Sequence, residues 1–246
     1  MSIEEGIYEE EYITRFAQTL HGEVSNKNLL SYLEDTGGAH SAHCKFSIVD
    51  IAKDNLTWFI LAWKMQVIKR PKAAQKIKIQ TWGRPVKRLF MLREFKIFDE
   101  KDELIAIASS KWCLVDTKIG KIVKAPDNLE EIYHKFREES VFEIDDISKL
   151  TVPNSDIVKN DEYKIRRFDL DGNMHVHNLN YVNFAYELLP EDIYNGKELN
   201  NIEIEYKKEI KYGEIIKSSL YVENGIYTIV IMDEKEEVIH AIVKLY

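Results

Sequence analysis

The 246-residue chain lacks the features that mark several large classes of protein. Its two cysteines, Cys44 and Cys113, stand at no CxxC or zinc-finger spacing, so we expect buried thiols and neither a disulfide framework nor a structural metal. Its longest apolar run, residues 56–63, is far shorter than the roughly 20 residues of a membrane span. The acidic N-terminal stretch has no basic-then-apolar signal pattern, so we expect a cytoplasmic protein.

Acidic residues are scarce in one part of the chain, although the whole carries a net charge of -8. Between Lys64 and Lys96 eleven basic residues stand with one acid, Glu94, so that segment carries +10 and the remainder -18. A basic segment on an acidic protein favours an anionic partner reached by electrostatic steering. The alternative is a solvated strand face. Nucleic acid is not expected, because the acidic remainder would repel phosphate.

The sequence does contain an internal repeat. Arg15-Phe16 and Arg167-Phe168 each precede a polar stretch and a helical pattern, at an offset of 152 residues. The stretch FDEKDELIAIA, which starts at residue 98, matches MDEKEEVIHAIV, which starts at residue 232. Each half therefore contains an extended segment, one amphipathic helix and several antiparallel strands, which predicts an α+β fold of two similar units.

The pattern places the first unit at residues 1–125, a partly helical linker at 126–160 and the second unit at 161–246. In the first unit Ser25 or Asn26 can cap a helix that a Gly-Gly pair weakens. In the second, Asn178 is the expected cap of a helical run that Pro190 ends. The linker contains a charged stretch, residues 128–140, that we expect to be helical.

Strands are predicted for most of the rest. Residues 56–63 are almost continuously apolar, and residues 221–231 carry the Asn-Gly signal of a tight hairpin. In residues 202–212 apolar residues alternate with charged ones, which puts Glu209 on the charged, solvent-facing side of its strand.

A carboxylate, an amide and an imidazole, Asp171, Asn173 and His175, stand at every second position just before the second helix. Gly172 favours an extended or looped segment over a helix, and in an extended segment the three side chains share one face. They can supply a base or nucleophile, an orienting group and a proton shuttle, and the free N–H groups of the helix start suit an oxyanion. The alternative is a set of ordinary turn and cap residues.

The corresponding stretch of the first half, residues 18–23, lacks the Asp-x-Asn-x-His pattern. One half that keeps reactive residues and one that has lost them indicate a duplicated enzyme with a single working site.

These residues resemble a known family, the acyl-acyl carrier protein (acyl-ACP) thioesterases of plants and bacteria. Residues 169–178 are similar to the family's Asp-Leu-Asp-x-Asn-x-His-Val-x-Asn segment, and Tyr181 and the Glu-Leu-Leu-Pro stretch at 187–190 follow as in the family. Residues 63–71, 79–82 and 108–112 resemble first-half segments of the family, so the resemblance covers most of the chain.

The resemblance implies a tandem, or double, hotdog fold, in which two antiparallel sheets each wrap around a long helix. It implies catalytic roles for Asp171, Asn173, His175 and Glu209, the last matching the acid of the family's Glu-Tyr-Arg-Arg-Glu-Cys segment. The family's Cys is Ile210 here, which rules out a thiol nucleophile at this position. The alternation noted above also points Glu209 away from a site, unless a bulge nearby turns it inward.

The implied reaction is hydrolysis of fatty acyl-ACP to a free fatty acid in fatty acid biosynthesis, without cofactor or metal. Asp171 and Glu209 would act on the thioester carbonyl and the attacking water, while His175 and Asn173 position and stabilise. An apolar slot for the acyl chain is expected in the first half. Its candidate residues are Trp58, Phe59 and Trp63, and for any one of them core packing is the alternative.

Acyl carrier protein, which is small and acidic, would dock on the basic segment, with Arg84, Lys87 and Arg88 as candidate contacts. The alternatives are an acyl-coenzyme A thioesterase, for which the basic segment is less necessary, and a non-catalytic hotdog protein that binds acyl thioesters. A monomer and a homodimer both fit, because one tandem chain already carries both halves of the usual hotdog dimer.

Overall fold

Each half of the sequence repeat contributes a set of antiparallel strands and a helix. The computed structural model describes residues 3–4, 6–143, 147 and 149–246. The chain divides into two units, Met1–Ile147 and Ser148–Tyr246.

The sheet of the first unit has the strand order β1-β2-β6-β7-β8-β5, with β9 paired to β8 and β3-β4 as a separate small hairpin. Its elements are β1 (Ile3–Glu4), β2 (Ile7–Ile13), β3 (Thr19–Leu20), β4 (Glu23–Val24), α1 (Asn26–His43), α2 (Ile48–Ile51), β5 (Leu56–Val67), β6 (Lys76–Gly83), β7 (Phe90–Asp99), β8 (Leu104–Asp116), β9 (Lys121–Val123) and α3 (Leu129–Ile132).

Helix α1 begins where the sequence predicts. The side chain of Ser25 caps it by accepting the backbone N–H of Asn28 at 3.3 Å. The glycine pair does not end the helix, which continues to His43. Gly37 faces the sheet, and a Cβ there would stand 3.3 Å from Cδ of Arg93, so the missing side chain makes room for a buried arginine.

Strand β5 contains a bulge that changes which side chains share a face. Its pairing with β8 skips Leu61, between Ile60 and Ala62. Trp58 lies opposite Leu114 and Trp63 opposite Ser110, two positions of β8 with the same parity. The bulge therefore brings Trp58 and Trp63 to one face, although an odd spacing of five would separate them in a regular strand.

The second unit repeats this plan with a shorter helix. Its sheet has the order β11-β14-β13-β12-β10. Its elements are β10 (Lys159–Lys164), α4 (Asn180–Tyr186), α5 (Glu191–Tyr194), β11 (Asn201–Tyr206), β12 (Ile215–Glu223), β13 (Ile226–Asp233) and β14 (Ile239–Leu245). The predicted Asn-Gly hairpin is confirmed, with positive φ values of 52° at Asn224 and 76° at Gly225.

The duplicated acidic turns are each closed by their first aspartate, and the second turn is one residue longer, because Asp99 N–H donates to the Glu103 carbonyl and Asp233 N–H to the Val238 carbonyl. Asp99 accepts the backbone N–H groups of residues 101 and 103 through Oδ1, and Asp233 accepts those of residues 237 and 238. A register shift precedes both turns, at Ile97/Phe98 and at Ile231/Met232. These shifts share the sequence offset of 134, so the repeat extends to backbone irregularities.

Two expected boundaries are wrong. Asn178 does not cap α4, whose N-cap residue is Leu179 without a capping side chain, because the preceding residues form turns of their own. Within the stretch expected to be helical, α3 covers four residues only. Tyr133 and Phe136 then leave the helix to pack against Met91 in the first unit. Residues 144–146 and 148 of the expected linker lie outside the described residues.

None of the helices formed by the described residues is long and apolar enough to cross a membrane.

The cap of α1 gives a test of this part of the fold. Ser25→Ala removes the acceptor for the backbone and side-chain N–H groups of Asn28, so the free energy of unfolding should fall by about 1 kcal/mol in a denaturant titration. Ser25→Asp keeps an acceptor and should unfold within a few tenths of a kcal/mol of the parent. Equal stability of the alanine variant and the parent would contradict the capping role.

Candidate active site

The Asp-x-Asn-x-His segment is a tight loop between two bridged residues, Leu170 and Val176. The backbone N–H of Asp171 donates to the carbonyl of His175 at 2.8 Å, and Met174 adopts a φ of 64°. Oδ1 of Asp171 accepts the backbone N–H groups of Asn173 at 2.8 Å and His175 at 3.2 Å. The two-residue alternation of a strand therefore does not apply here, and the Asp171 carboxylate itself shapes the loop.

Glu209 lies against this loop, contrary to the alternation seen in the sequence. Strand β11 ends at Tyr206, and the N–H groups of Lys207 and Lys208 both donate to the carbonyl of His240, at 2.8 and 3.2 Å. Two residues thus face one, as in a β-bulge. Glu209 lies beyond this bulge and is half-buried against His175 instead of fully solvated.

Glu209 and His175 are in side-chain contact within the second unit. His175 Nε2 lies 3.3 Å from Glu209 Oε1, and their side chains are 25% and 36% exposed. The backbone holds this geometry: Val176 donates to the carbonyl of Ile210 at 2.9 Å, and His175 bridges Lys211. The structure therefore brings together a carboxylate and an imidazole that are 34 positions apart in the sequence.

The other two predicted residues lie on the same loop in different settings. Asp171 is half-buried, and its Oδ1 is engaged by the loop backbone. Asn173 is exposed and contributes its backbone N–H to Asp171. His175 therefore links the two acids: its side chain contacts Glu209, and its backbone N–H donates to Oδ1 of Asp171.

Sequence reasoning missed two neighbours of this pair. Nζ of Lys211 lies 3.8 Å from Oε1 of Glu209, the oxygen that His175 also contacts, so a cation flanks the acid. Tyr181 is buried, and burial followed by the Glu209, Glu214 and Asp171 carboxylates raises the pKa of its phenol. Tyr181 therefore stays a hydrogen-bond donor beside three acids. Its helical apolar spacing gave no sign of this role.

The start of α4 does not supply the free backbone N–H groups expected for an oxyanion. The N–H groups of Asn180, Tyr181 and Val182 donate to the carbonyls three residues earlier, at 2.8, 3.3 and 3.3 Å. The N–H of Leu179 donates to Nδ1 of His177 at 3.3 Å. Side chains of the loop remain the groups that could stabilise negative charge.

The first unit has a corresponding loop with different chemistry. At the offset of 152, Thr19 and Glu23 stand in the places of Asp171 and His175. Val24 donates to the carbonyl of Pro71 as Val176 does to Ile210, which puts Arg70 in the place of Glu209. Arg70 donates to the Val24 carbonyl and to Oδ1 of Asn26, at 3.0 Å each. The position of the first unit that corresponds to Glu209 is therefore an arginine whose guanidinium is bonded to a backbone carbonyl and to Asn26.

The three residues expected to line an acyl slot do not lie together. Trp63 is fully buried and packs on Phe95, with ring centroids 5.4 Å apart. Trp58 packs on the cluster that contains Met91 and Tyr133. Phe59 is 36% exposed and points to the opposite face of β5, because it immediately follows Trp58 in a regular part of the strand. Phe59 is therefore not part of a slot with the two tryptophans.

Several cations of the basic segment lie next to acids in the folded chain. Five of its cations lie within ion-pair distance of acids: Lys69 with Asp99 and Glu103, Lys76 with Glu11, Lys78 with Asp102, Arg84 with Glu94, and Lys96 with Glu139. Most of these acids come from outside the segment, and the fold brings them next to it. The positive charge that the segment presents is therefore smaller than its sequence excess of +10 suggests.

The prediction that Arg84 takes part in docking is wrong. It is only 4% exposed, and its guanidinium lies 3.6 Å from the buried Glu94 carboxylate, so it cannot meet a macromolecular partner. Lys87 and Arg88 are exposed beside the exposed Leu89 in the hairpin loop between β6 and β7. They remain candidates for docking.

Comparison with known proteins identifies the family. The model of the acyl-ACP thioesterase N-terminal domain matches residues 5–133, and that of the C-terminal domain matches residues 154–244. The chain belongs to the acyl-ACP thioesterase family. Among curated members, it is 26% identical to the chloroplastic oleoyl-acyl carrier protein thioesterase of Coriandrum sativum and 24% identical to enzyme 1 of that name from Arabidopsis thaliana. Each match covers 87% of this chain but only 63% and 64% of the relative.

Solved structures of the family establish the fold. An acyl-ACP thioesterase from Bacteroides thetaiotaomicron superposes with a TM-score of 0.87 at 22% identity, covering 100% of this chain and 99% of that one. The 12:0-ACP thioesterase from Umbellularia californica gives 0.88 at 19% identity, with coverage of 100% and 98%. The expected double hotdog fold is thereby confirmed.

The buried Glu94 predicts how stability depends on pH. Burial raises the pKa of its carboxyl to about 7, against the opposing effects of the Val141 N–H, Arg84 and Ser109. The folded state thus binds a proton that the unfolded state releases near pH 4.5. The stabilising contribution is complete below about pH 4.5 and is lost as the pH rises to about 7, by about 3 kcal/mol in this ideal case.

Glu94→Gln should remove this part of the pH dependence. The measurement is the free energy of unfolding of both proteins at intervals between pH 4.5 and pH 8. A parent whose profile over this window coincides with that of the glutamine variant would contradict the raised pKa.

Proposed function

We propose that this protein hydrolyses the thioester between a fatty acyl group and acyl carrier protein and releases free fatty acid in fatty acid biosynthesis. The observation that carries the proposal is the 3.3 Å contact between His175 and Glu209 beside the Asp171 loop. Relatives named as acyl-ACP thioesterases support the same reaction, although the chain spans less than two thirds of their length.

Asp171 and Glu209 are the groups proposed to act on the substrate. Water attacks the carbonyl carbon, the C–S bond breaks, and the proton of the water ends on the departing sulfur. A carboxylate can accept that proton and deliver it, and His175 against Glu209 can hold the acid in place and share the proton. Oδ1 of Asp171 is engaged by the loop backbone, which leaves Oδ2 to face the reacting groups.

Asn173 and Tyr181 are proposed to support this chemistry. Asn173 is exposed on the loop and can donate an amide N–H to the carbonyl oxygen of the thioester. Tyr181 keeps its proton next to the acids and can donate a hydrogen bond to either of them. Trp58 and Trp63 are proposed to wall an acyl slot in the first unit.

A second candidate, acyl-coenzyme A hydrolysis, is favoured by one observation. The fold pairs five cations of the basic segment with acids, which reduces the surface available for an acidic carrier protein. Release of free fatty acid from matched acyl-ACP and acyl-coenzyme A substrates separates the two candidates. A higher kcat/KM for acyl-ACP supports the first candidate, and a higher kcat/KM for acyl-coenzyme A supports the second.

The carboxylates can be tested without disturbing the loop. Asp171→Asn keeps an oxygen that can accept the two backbone N–H groups but loses the charge, and Glu209→Gln keeps its size. Each should lower kcat/KM for acyl-ACP by roughly 100- to 10,000-fold with unchanged thermal stability. Glu203→Gln on strand β11, whose acid bonds the Tyr246 hydroxyl, is the matched control and should keep full activity. Full activity of Asp171→Asn would disprove its role.

Carrier-protein docking makes a separate prediction. The double variant Lys87→Glu/Arg88→Glu should raise KM for acyl-ACP several-fold at low salt and leave hydrolysis of acyl-coenzyme A unchanged, because rim charges act mainly on association. Lys118→Glu/Lys121→Glu, on the exposed hairpin between β8 and β9, is the control for a general change in charge. An unchanged KM for acyl-ACP would exclude docking at Lys87 and Arg88.

A further inference from the structure

The interior of the first unit contains ring N–H groups that have no acceptor within the part of the chain that the structure describes. His40 Nε2, Trp58 Nε1 and Trp63 Nε1 are buried, and none has a hydrogen-bond partner among the described residues. His40 and Trp63 are each 0% exposed. Buried donors without acceptors are rare in folded proteins because each loses its bonds to water without replacing them.

His40 must present a donor at this position. Its Nδ1 lies 2.9 Å from Nη1 of Arg93, which can only donate, so Nδ1 accepts and the ring proton sits on Nε2. Burial, followed by the charge of Arg93, lowers the pKa of His40 to about 2, which keeps the ring neutral. The ring is fixed by stacking on Tyr8 and by an edge contact with Tyr133.

Arg93 adds a buried positive charge to the same interior. It is 3% exposed and bonds His40 and the Thr81 hydroxyl, yet no carboxylate of the described residues lies within ion-pair distance of it. A cation without a counter-ion is costly to bury, and the helix accommodates it by placing Gly37 against its side chain. Burying the guanidinium of Arg93 therefore costs the folded state free energy.

These groups form one connected cluster on one face of the sheet. Arg93 and Trp63 both lie opposite Ser110, so they point to the same side. Trp63 packs on Phe95, and Phe95 and Arg93 both approach Gly37 of α1. At the other end, Phe46 contacts both Tyr133, which touches His40, and Trp58.

A purely hydrocarbon chain does not complement such a cluster. It would bury the three ring N–H groups and the guanidinium against methylene groups and satisfy none of them. A chain that carries oxygen atoms can satisfy them, and hydrogen bonds to a charged donor such as Arg93 are the stronger kind.

We propose that the first unit binds an acyl chain that carries a hydroxyl or carbonyl oxygen beyond the thioester, and that His40 and Arg93, with Trp63 and Trp58 beside them, donate hydrogen bonds to that oxygen. This inference rests on the proposed function and narrows its substrate class to oxygenated fatty acyl groups.

The test compares acyl-ACP substrates of one chain length. The acyl group is saturated or carries one hydroxyl at the β, a mid-chain or the ω position, and kcat/KM is measured for each. At least one hydroxylated isomer should exceed the saturated parent by roughly tenfold or more. A saturated parent that is preferred over all three isomers would overturn the inference and leave the proposed function standing.

Variants of the donors show whether the cluster causes the preference. His40→Phe keeps both ring contacts and removes Nε2–H, and Arg93→Met removes a buried charge, so both should fold. Each should bring the ratio of hydroxylated to saturated substrate close to one, as should Trp63→Phe. Trp82→Phe is the matched control, because its indole N–H already donates to the Glu139 carbonyl at 3.0 Å, and it should keep the preference. An unchanged ratio in His40→Phe would overturn the inference.

Binding separates this inference from the proposed function. The free hydroxylated and saturated fatty acids are titrated into the parent and His40→Phe proteins by calorimetry, which requires no turnover. Suppose that acyl-ACP is not hydrolysed, that the parent binds the hydroxylated acid more tightly than the saturated acid, and that His40→Phe shows no such difference. The hydrolase proposal then fails and the binding site stands. Equal binding of both acids would overturn the site.

Discussion

The bulge after strand β11 is the local feature on which the candidate active site depends. Two consecutive N–H groups, of Lys207 and Lys208, share the carbonyl of His240, and Nδ1 of His240 lies 3.2 Å from the Lys208 carbonyl. Beyond this extra residue Glu209 contacts His175, while Ile210 stays fully buried. Glu209 thereby places a second acid beside the Asp171 loop.

The duplication shows how one framework carries two different chemistries. Both units contain the loop before the helix, the acidic turn and the register shift that precedes it. Only the second combines a carboxylate loop with an acid on the neighbouring segment; at the corresponding place the first has Arg70, which its side-chain hydrogen bonds commit to the backbone and to Asn26. The backbone hydrogen bonds are retained while the side chains have diverged.

In the first unit, the burial and pairing of charged side chains differ from what the charge pattern of the sequence suggests. Five cations of the basic segment are paired with acids, and two of its arginines, Arg84 and Arg93, are buried on opposite faces of the sheet. Arg84 meets Glu94, whereas Arg93 meets a neutral histidine and a threonine. Arg93, for which the described residues supply no counter-ion, lies on the side that faces helix α1, where the proposed oxygenated chain would bind.

The sequence by itself determined the repeat, the type of most elements, the cap of α1, the Asn-Gly hairpin and the chemical identity of the site residues. These follow from local periodicity, turn chemistry and matching segments, all of which the sequence expresses directly. Only the tertiary structure decided the direction of Glu209, the shared face of Trp58 and Trp63, and the burial of Arg84. A single-residue bulge changes which side chains share a face, and an ion pair joins residues from separate segments of the chain, so neither can be seen in the local pattern of residues.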